Sequence, residues 1–231
     1  MMEDRVHTSE VLIPSLGRVR FIELHRPEKR NCLSLDMLGN LLLALQGSEG
    51  SSLVVLTGAG SSFCAGLDLG EIGYPDATAV SARAHLERLA AIYSWLLDAA
   101  IPSLVFAKGY AAGGGAGLVA SASQVVVSED FRFKLPAGNL AALASIAVPV
   151  LDLRAGELAG EDWLGREIPA NEARAMGLVD SVISKGAWEQ CLGELRRGSF
   201  PCGIELNPRV QRLKLRETLE SLKRFVVGLP H

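Results

Sequence analysis

Ten residues near the middle of the chain restrict what it can fold into more than any others. They are Gly109-Tyr110-Ala111-Ala112-Gly113-Gly114-Gly115-Ala116-Gly117-Leu118. An apolar run, residues 102–107, precedes them, and the small residues 119–123 follow. That order predicts strand, glycine turn, helix. Glycine has no Cβ, so such a turn admits positive φ and lets another backbone or a ligand come close. The first amides of the helix have no carbonyl behind them in the same helix, and they face outward. They suit a phosphate, or an oxygen that gains charge during a reaction. On this stretch alone, a tight packing turn explains the glycines as well.

A second stretch of the same kind stands upstream. Residues 53–60, LVVLTGAG, form a buried-strand pattern ending in a glycine turn, which runs into Ser61-Ser62-Phe63-Cys64-Ala65-Gly66-Leu67-Asp68-Leu69. Before it, two β-type runs, 11–13 and 19–24, flank Ser15-Leu16-Gly17 and predict a hairpin. Leu35, Leu38, Leu41, Leu42 and Leu45 follow helical spacing from about Ser34. Further helices are expected over 81–100, with His85 and Tyr93, over 140–153, and over 157–168 around Trp163. A strand is expected at 124–128, and residues 209–227 are amphipathic. Strands alternating with helices at this pitch imply repeated β-β-α units and a largely parallel sheet.

With 231 residues and 48% hydrophobic content, one domain spanning 1–231 can bury a large core. A formal charge of −3 argues against a broad nucleic-acid or membrane surface. No apolar run reaches spanning length and MMEDRVHTSE lacks a signal-type apolar core, so a cytoplasmic location is expected. Cys32, Cys64, Cys191 and Cys202 form no CxxC pair and have no histidine at ligand spacing. Reduced thiols and no metal site are the expectation.

The pair VVLTGAGSSFCAGLDL and PSLVFAKGYAAGGGAGL, with RPEKRNCLS at 26–34 and EARAMGLVDSVI at 172–183, resembles the crotonase (enoyl-CoA hydratase/isomerase) superfamily. The resemblance implies an α/β crotonase (ClpP-like) fold of repeated β-β-α units, with its core at about 11–185. A helical segment at about 186–231 would cross to a neighbour in a homotrimer or hexamer. It implies an acyl-CoA or acyl carrier protein thioester as the partner, with CoA or phosphopantetheine as part of the substrate and no separate cofactor. The N–H groups of Leu67 and Gly114 would then hold the thioester oxygen. The CoA arm would lie along Cys64, Ala65 and Gly66, with Leu69, Gly113, Ala137 and Asn139 in the same groove.

Other candidates keep two readings. Lys29 and Arg30 either approach phosphates or are solvated charges. Asp68 caps the following turn, binds the adenine end, or moves a proton. His85 is a proton shuttle or a surface histidine, and Tyr93 is a polar group at the pocket or core packing with a satisfied hydroxyl. Asn139 holds a water or caps a helix.

The two glutamates of hydratases resembling this chain fall here on Gly117 and Ala137, and the aspartate nucleophile of related dehalogenases falls on Ser145. Neither glycine nor alanine transfers a proton, so standard hydratase chemistry is not expected. GGGAGLVASAS followed by FRFKLPAGNLAALASIAVPVL is most similar to the 3-hydroxy-3-methylglutaryl-carrier-protein dehydratases of polyketide β-branching, which retain a glutamate at the position of Ala137. A lyase-type hydration or dehydration in secondary metabolism is expected. Decarboxylation, thioester hydrolysis, isomerisation and a non-catalytic binding subunit are the alternatives.

Overall fold

The hairpin forms because two β-type runs flank residues 14–17, where Gly17 takes a φ of +100°. β1 (Val6–Ile13) pairs antiparallel with β2 (Gly17–Leu24) across a tight turn, with Val11 opposite Val19. In this computed structural model, which describes residues 5–73, 82–155 and 163–199, the hairpin forms one edge of a six-stranded sheet. Helix α1 (Leu35–Gln46) follows, its first turn capped by the Ser34 hydroxyl, which accepts the Met37 N–H. Next come β3 (Leu53–Gly58), α2 (Arg83–Asp98) and β4 (Ser103–Ala107). β3 pairs parallel with β2, and β4 with β3. The strands are buried on both faces, which is why their sequences are continuous apolar runs.

The glycine stretch departs from the simple strand, turn, helix expectation. Between β4 and α3 (Gly114–Ala120) the chain inserts β5 (Tyr110–Ala112). This short strand leaves the first sheet, because β6 (Gln124–Ser128) takes the place beside β4. β5 pairs instead with β7 (Arg132–Lys134) in a second sheet. The helix expected over 140–153 is broken into α4 (Ala141–Ala144), a 3₁₀ turn and α5 (Val148–Ala155). Pro149 falls at the start of α5, where its missing N–H leaves no intrahelical bond unmade.

The expectation of a helix over 157–168 is overturned at its C-terminal end. β8 (Glu167–Pro169) pairs antiparallel with β7, setting Ile168 opposite Phe133. The pairing buries both side chains completely, and that burial outweighs local helical propensity. Residues 156–162 lie outside the described residues. α6 (Ala170–Ala175), β9 (Ser181–Ile183) and α7 (Trp188–Arg196) complete the described chain, with β9 parallel to β6 at the far edge. The amphipathic 209–227 also lies outside the described residues, as does Cys202.

One face of the large sheet packs Ile22, Val54, Leu56, Val105 and Val125 against α1, α2 and α3. The other face packs Phe21, Val55 and Phe106 beneath Trp188 of α7, whose ring stacks on Phe106 with centroids 4.1 Å apart. Among the described residues, no helix is long and apolar enough to cross a membrane.

Asn31 ties the loop before α1 to the turn after β3. It is fully buried, with φ 54°, a conformation asparagine tolerates better than most residues. Its Oδ1 accepts the Arg26 N–H at 2.8 Å. Its Nδ2 donates to the carbonyls of Ala59 at 2.8 Å, Ser62 at 2.9 Å and Phe63 at 3.2 Å. Asn31→Ala strands these buried groups, each worth about 1–3 kcal/mol when left unpaired. The expected outcome is a loss of at least about 2 kcal/mol in urea unfolding. A loss under about 0.5 kcal/mol, the range of an ordinary surface change, would contradict this account.

Candidate functional site

The loop after β3 is held by backbone pairing on both sides, and the pattern leaves one amide unused. Leu33 donates to the Gly66 carbonyl at 2.7 Å, and Asp68 donates to the Leu33 carbonyl at 3.0 Å. In a parallel bridge of this kind, the residue between the two contacts points its own N–H to the other side. That residue is Leu67. Across from it, Gly113 donates to the Lys134 carbonyl, and Gly114, as the first residue of α3, has no carbonyl behind it to bond. Neither Leu67 nor Gly114 finds an N–H partner among the described residues.

Gly66 lets the two turns touch. Its φ is +87°, and a Cβ on it would stand 2.7 Å from the Ala112 carbonyl oxygen and 3.5 Å from the Gly114 nitrogen. Ala65, Gly66, Leu67, Leu69, Gly113 and Gly114 line a single cavity of about 390 Å³. Leu135, Pro136, Leu140, Leu143 and Ala144 give it an apolar wall. Two peptide donors without partners, on adjoining backbone that lines a largely apolar space, are the kind of group that can hold a ligand oxygen.

Several candidates fall elsewhere. Cys64 is fully buried and absent from the cavity lining. Its N–H donates to the Tyr110 carbonyl, and its own carbonyl accepts the Ala112 N–H. Ala65 donates to the Arg30 carbonyl. The bridge that joins the loops therefore occupies most of the main chain expected to hold a CoA arm. Burial pushes the Cys64 thiol up to about 12, despite the Gly66 N–H it accepts.

Ala137 and Asn139 are exposed and stand outside the lining, because the chain turns outward after Pro136 through Gly138, φ +63°. Lys29 is exposed in a 3₁₀ turn (Pro27–Lys29), also outside it. The Arg30 guanidinium lies 5.9 Å from the Tyr110 ring centroid.

Asp68 takes the turn-capping role. Its Oδ1 accepts the Gly70 N–H at 3.1 Å, and its Oδ2 accepts Arg26 Nη1 at 2.5 Å. Burial raises its pKa, but the Arg26 hydrogen bond and charge, with the Cys32 thiol, overcome that and hold the carboxyl below its usual range. A carboxylate so held, outside the cavity lining, is poorly suited to proton transfer.

His85 is not a surface histidine, since it is only 5% exposed, on the inward stripe of α2 with Leu89 and Ile92. Its Nε2 lies 3.1 Å from Glu71 Oε2, and it does not line the cavity.

Tyr93 is core with its hydroxyl satisfied, donating to the Gly114 carbonyl at 2.6 Å. A Cβ at Gly117 would lie 2.2 Å from that hydroxyl oxygen and 2.3 Å from Cζ. Glycine at 117 therefore does more than omit a carboxylate; it makes room for the tyrosine.

Sequence reading missed three polar residues on the cavity, Lys134, Arg166 and Glu167. Lys134 and Glu167 are direct partners across β7 and β8, and their side chains meet at 3.1 Å. Arg132 Nε approaches Glu167 at 3.5 Å, while Arg166 pairs with Glu172 at 2.8 Å. Glu167 is the only acidic side chain lining the cavity among the described residues. Reading 157–168 as helix hid it, and a three-residue strand carries too little alternation to correct that reading.

The enoyl-CoA hydratase/isomerase family model matches residues 17–196. A Thermus thermophilus relative, provisionally assigned as an enoyl-CoA hydratase, is 34% identical over 74% of this chain and 70% of its own length. A 4-chlorobenzoyl coenzyme A dehalogenase of an Arthrobacter species is 30% identical over 88% of this chain and 78% of its own. A crystal structure of enoyl-CoA hydratase from Bacillus halodurans superposes with a TM-score of 0.72, covering 97% of this chain and 93% of that one at 20% identity, a likeness of fold.

Gly117→Ala forces a methyl into Tyr93 and is expected to cost about 1–3 kcal/mol, the usual range for overpacking. Tyr93→Leu in the same chain should recover part of that loss, and a double-mutant cycle in urea would show the coupling. Additive effects would refute the contact. The Asp68 shift gives a second check. Because the folded pKa is depressed, the stability it contributes is present above the ordinary carboxylate value of about 3.9 and is lost as pH falls through the folded pKa. Asp68→Asn should remove that part of the acid dependence of stability, and an unchanged profile would contradict it.

Proposed function

The chain belongs to the enoyl-CoA hydratase/isomerase family, and from that premise we propose that it binds an acyl thioester and eliminates or adds water next to the carbonyl. The observation that carries this reading is the pair of partnerless N–H groups, Leu67 and Gly114, on one cavity. Removing a proton α to a thioester moves charge onto its oxygen. A donor aimed at that oxygen is worth about 3–4 kcal/mol of barrier. The apolar wall strengthens both bonds by excluding water.

In this reading Glu167 is the proton acceptor. The α-proton passes to its carboxylate, and the electron pair rests on the thioester oxygen between the two amides. The pair then returns to form the double bond as the β-hydroxyl leaves, taking its proton from Lys134. Lys134 Nζ at 3.1 Å and Arg132 Nε at 3.5 Å hold the Glu167 carboxylate in place on the cavity wall. Resemblance at 113–123 and 131–151 supports a carrier-protein thioester of branched, 3-hydroxy-3-methylglutaryl type, in secondary metabolism, as the fuller reading. It also supports a trimer or hexamer.

One observation favours isomerisation as the second reading. A single lining carboxylate suffices to take a proton from one carbon and return it two carbons away, with the same amides holding the oxygen.

A panel of CoA and carrier-protein thioesters, followed by mass spectrometry for water loss, carbon dioxide and free thiol and by chromatography for shifted double bonds, tests both. Water loss or a moved double bond is expected, and crotonyl-CoA should be hydrated negligibly. No turnover on any thioester would leave only the binding-subunit reading. Gly114→Pro removes one donor. It is made together with Leu89→Ala, because a Cβ at 114 would meet Leu89 Cδ2 at 2.6 Å. Relative to Leu89→Ala alone, kcat should fall about 100- to 1,000-fold. Glu167→Gln should lower kcat at least about 100-fold. Unchanged rates would refute the role given to either group.

A further inference from the structure

The hairpin carries a second cluster with chemistry of its own, sharing no residue with the cavity. Glu23 and His25 are two residues apart, so strand periodicity sets them on one face. His7 is the direct register partner of Glu23 across β1 and β2, on that same face. The ladder continues past the strand end, where the His25 N–H donates to the Arg5 carbonyl at 2.9 Å. From His7, Glu23 and His25, one ligand atom each comes within 4.8 Å of the other two.

We propose that His7, Glu23 and His25 bind one zinc-like divalent ion at this edge of the sheet. Two imidazoles and one carboxylate are the donor set of zinc and its first-row neighbours; magnesium and calcium favour oxygen-only sets. His25 Nδ1 and Glu23 Oε1 are 3.1 Å apart. That is close to the edge of roughly 3.3 Å for a tetrahedron with metal bonds of about 2.05 Å. The His7 and His25 rings stack with centroids 3.9 Å apart and planes 23° from parallel. His7 is exposed, and its broad second side-chain torsion lets the ring swing out of the stack and aim a nitrogen at the ion.

Glu23 is prepared for this role from the opposite side. Arg196 of α7 bonds its Oε2, leaving Oε1 toward the histidines. An outer partner of this kind fixes a ligating carboxylate. An ion here would clamp the edge strand β1 to β2 and, through Arg196, to α7. Solvent or a ligand would occupy the fourth position beside exposed His7.

The test uses the full chain without a histidine tag, stripped with chelator and titrated with zinc chloride by calorimetry. Thermal unfolding is followed in zinc and, separately, in magnesium. One zinc per chain and a melting temperature raised by zinc alone are expected. Loss of an outer partner already weakens metal sites about 10- to 100-fold, so His7→Ala and His25→Ala should each weaken zinc at least about tenfold. Glu10→Gln, on the opposite face of β1, should bind as the parent does. If a variant folds poorly, histidine-selective NMR of the parent chain replaces it, with shifts on zinc addition expected at His7 and His25. Zinc bound equally by both histidine variants, equal stabilisation by magnesium, or histidine signals unmoved by zinc would each overturn the site.

Discussion

The carbonyl of Gly66 accepts the Leu33 N–H, and the carbonyl of Leu33 accepts the Asp68 N–H. Leu67, held between those two bonds, is left with an amide that its own ribbon cannot satisfy. Much of the site's geometry follows from that constraint. The flanking Cys64–Ala111 bridge locks the loop against β5, and β5 in turn delivers Gly113 and Gly114 at its end. Gly66, with φ +87° and no room for a Cβ, is the point where the two backbones meet. Asn31 secures the loop from behind by bonding three carbonyls of the turn that leads into it. Peptide groups fixed in this way need no reorganisation when charge appears on a bound oxygen, which is the property an oxyanion site requires.

The same packing explains why proton transfer has moved in the function proposed above. α2 presses Leu89 and Tyr93 onto the first turn of α3, and the tyrosine hydroxyl takes the Gly114 carbonyl as its acceptor. A side chain at 117 would have to displace a fully buried ring, so a carboxylate there is sterically incompatible with this core. On the opposite wall, pairing of β7 with β8 presents Lys134 and Glu167 together. Loss of one acidic position and presence of another are thus both consequences of packing. They arise from separate layers of the fold.

Much of this was legible in the sequence, and the failures have physical causes. The hairpin, α1, β3, β4 and β6 carry local signals that agree with the tertiary result. Leu67 and Gly114 were marked by the resemblance of the two glycine motifs to the crotonase superfamily, since the glycines alone fit a tight packing turn equally well. β5, β7 and β8 are three residues long, and their pairing depends on partners distant in sequence. No local pattern reveals that, and Lys134 and Glu167 were missed with them. Asp68 and His85 stood out as titratable groups near the motifs. Whether such a group meets a cavity or a salt bridge is decided by contacts such as Arg26 to Asp68, forty-two positions apart.

Relatives bearing the names hydratase and dehalogenase match this chain at similar levels of identity, so likeness over the whole domain does not select a reaction. What distinguishes reactions on such a scaffold is which side chain stands beside the carbons next to the held carbonyl. In this chain the neighbouring positions are crowded by Tyr93 at one side and turned to solvent at Ala137 on another, leaving one ion-paired carboxylate on the cavity. In the function proposed above, a glutamate that takes the α-proton does not also supply the proton of the leaving group. The acid must then come from Lys134 or from the substrate. A β-hydroxyl that leaves easily, or a double bond that only has to move, makes the smallest demand on that acid. For this reason the wall suits, within the function proposed above, elimination of a readily lost β-hydroxyl, with its reverse, and isomerisation.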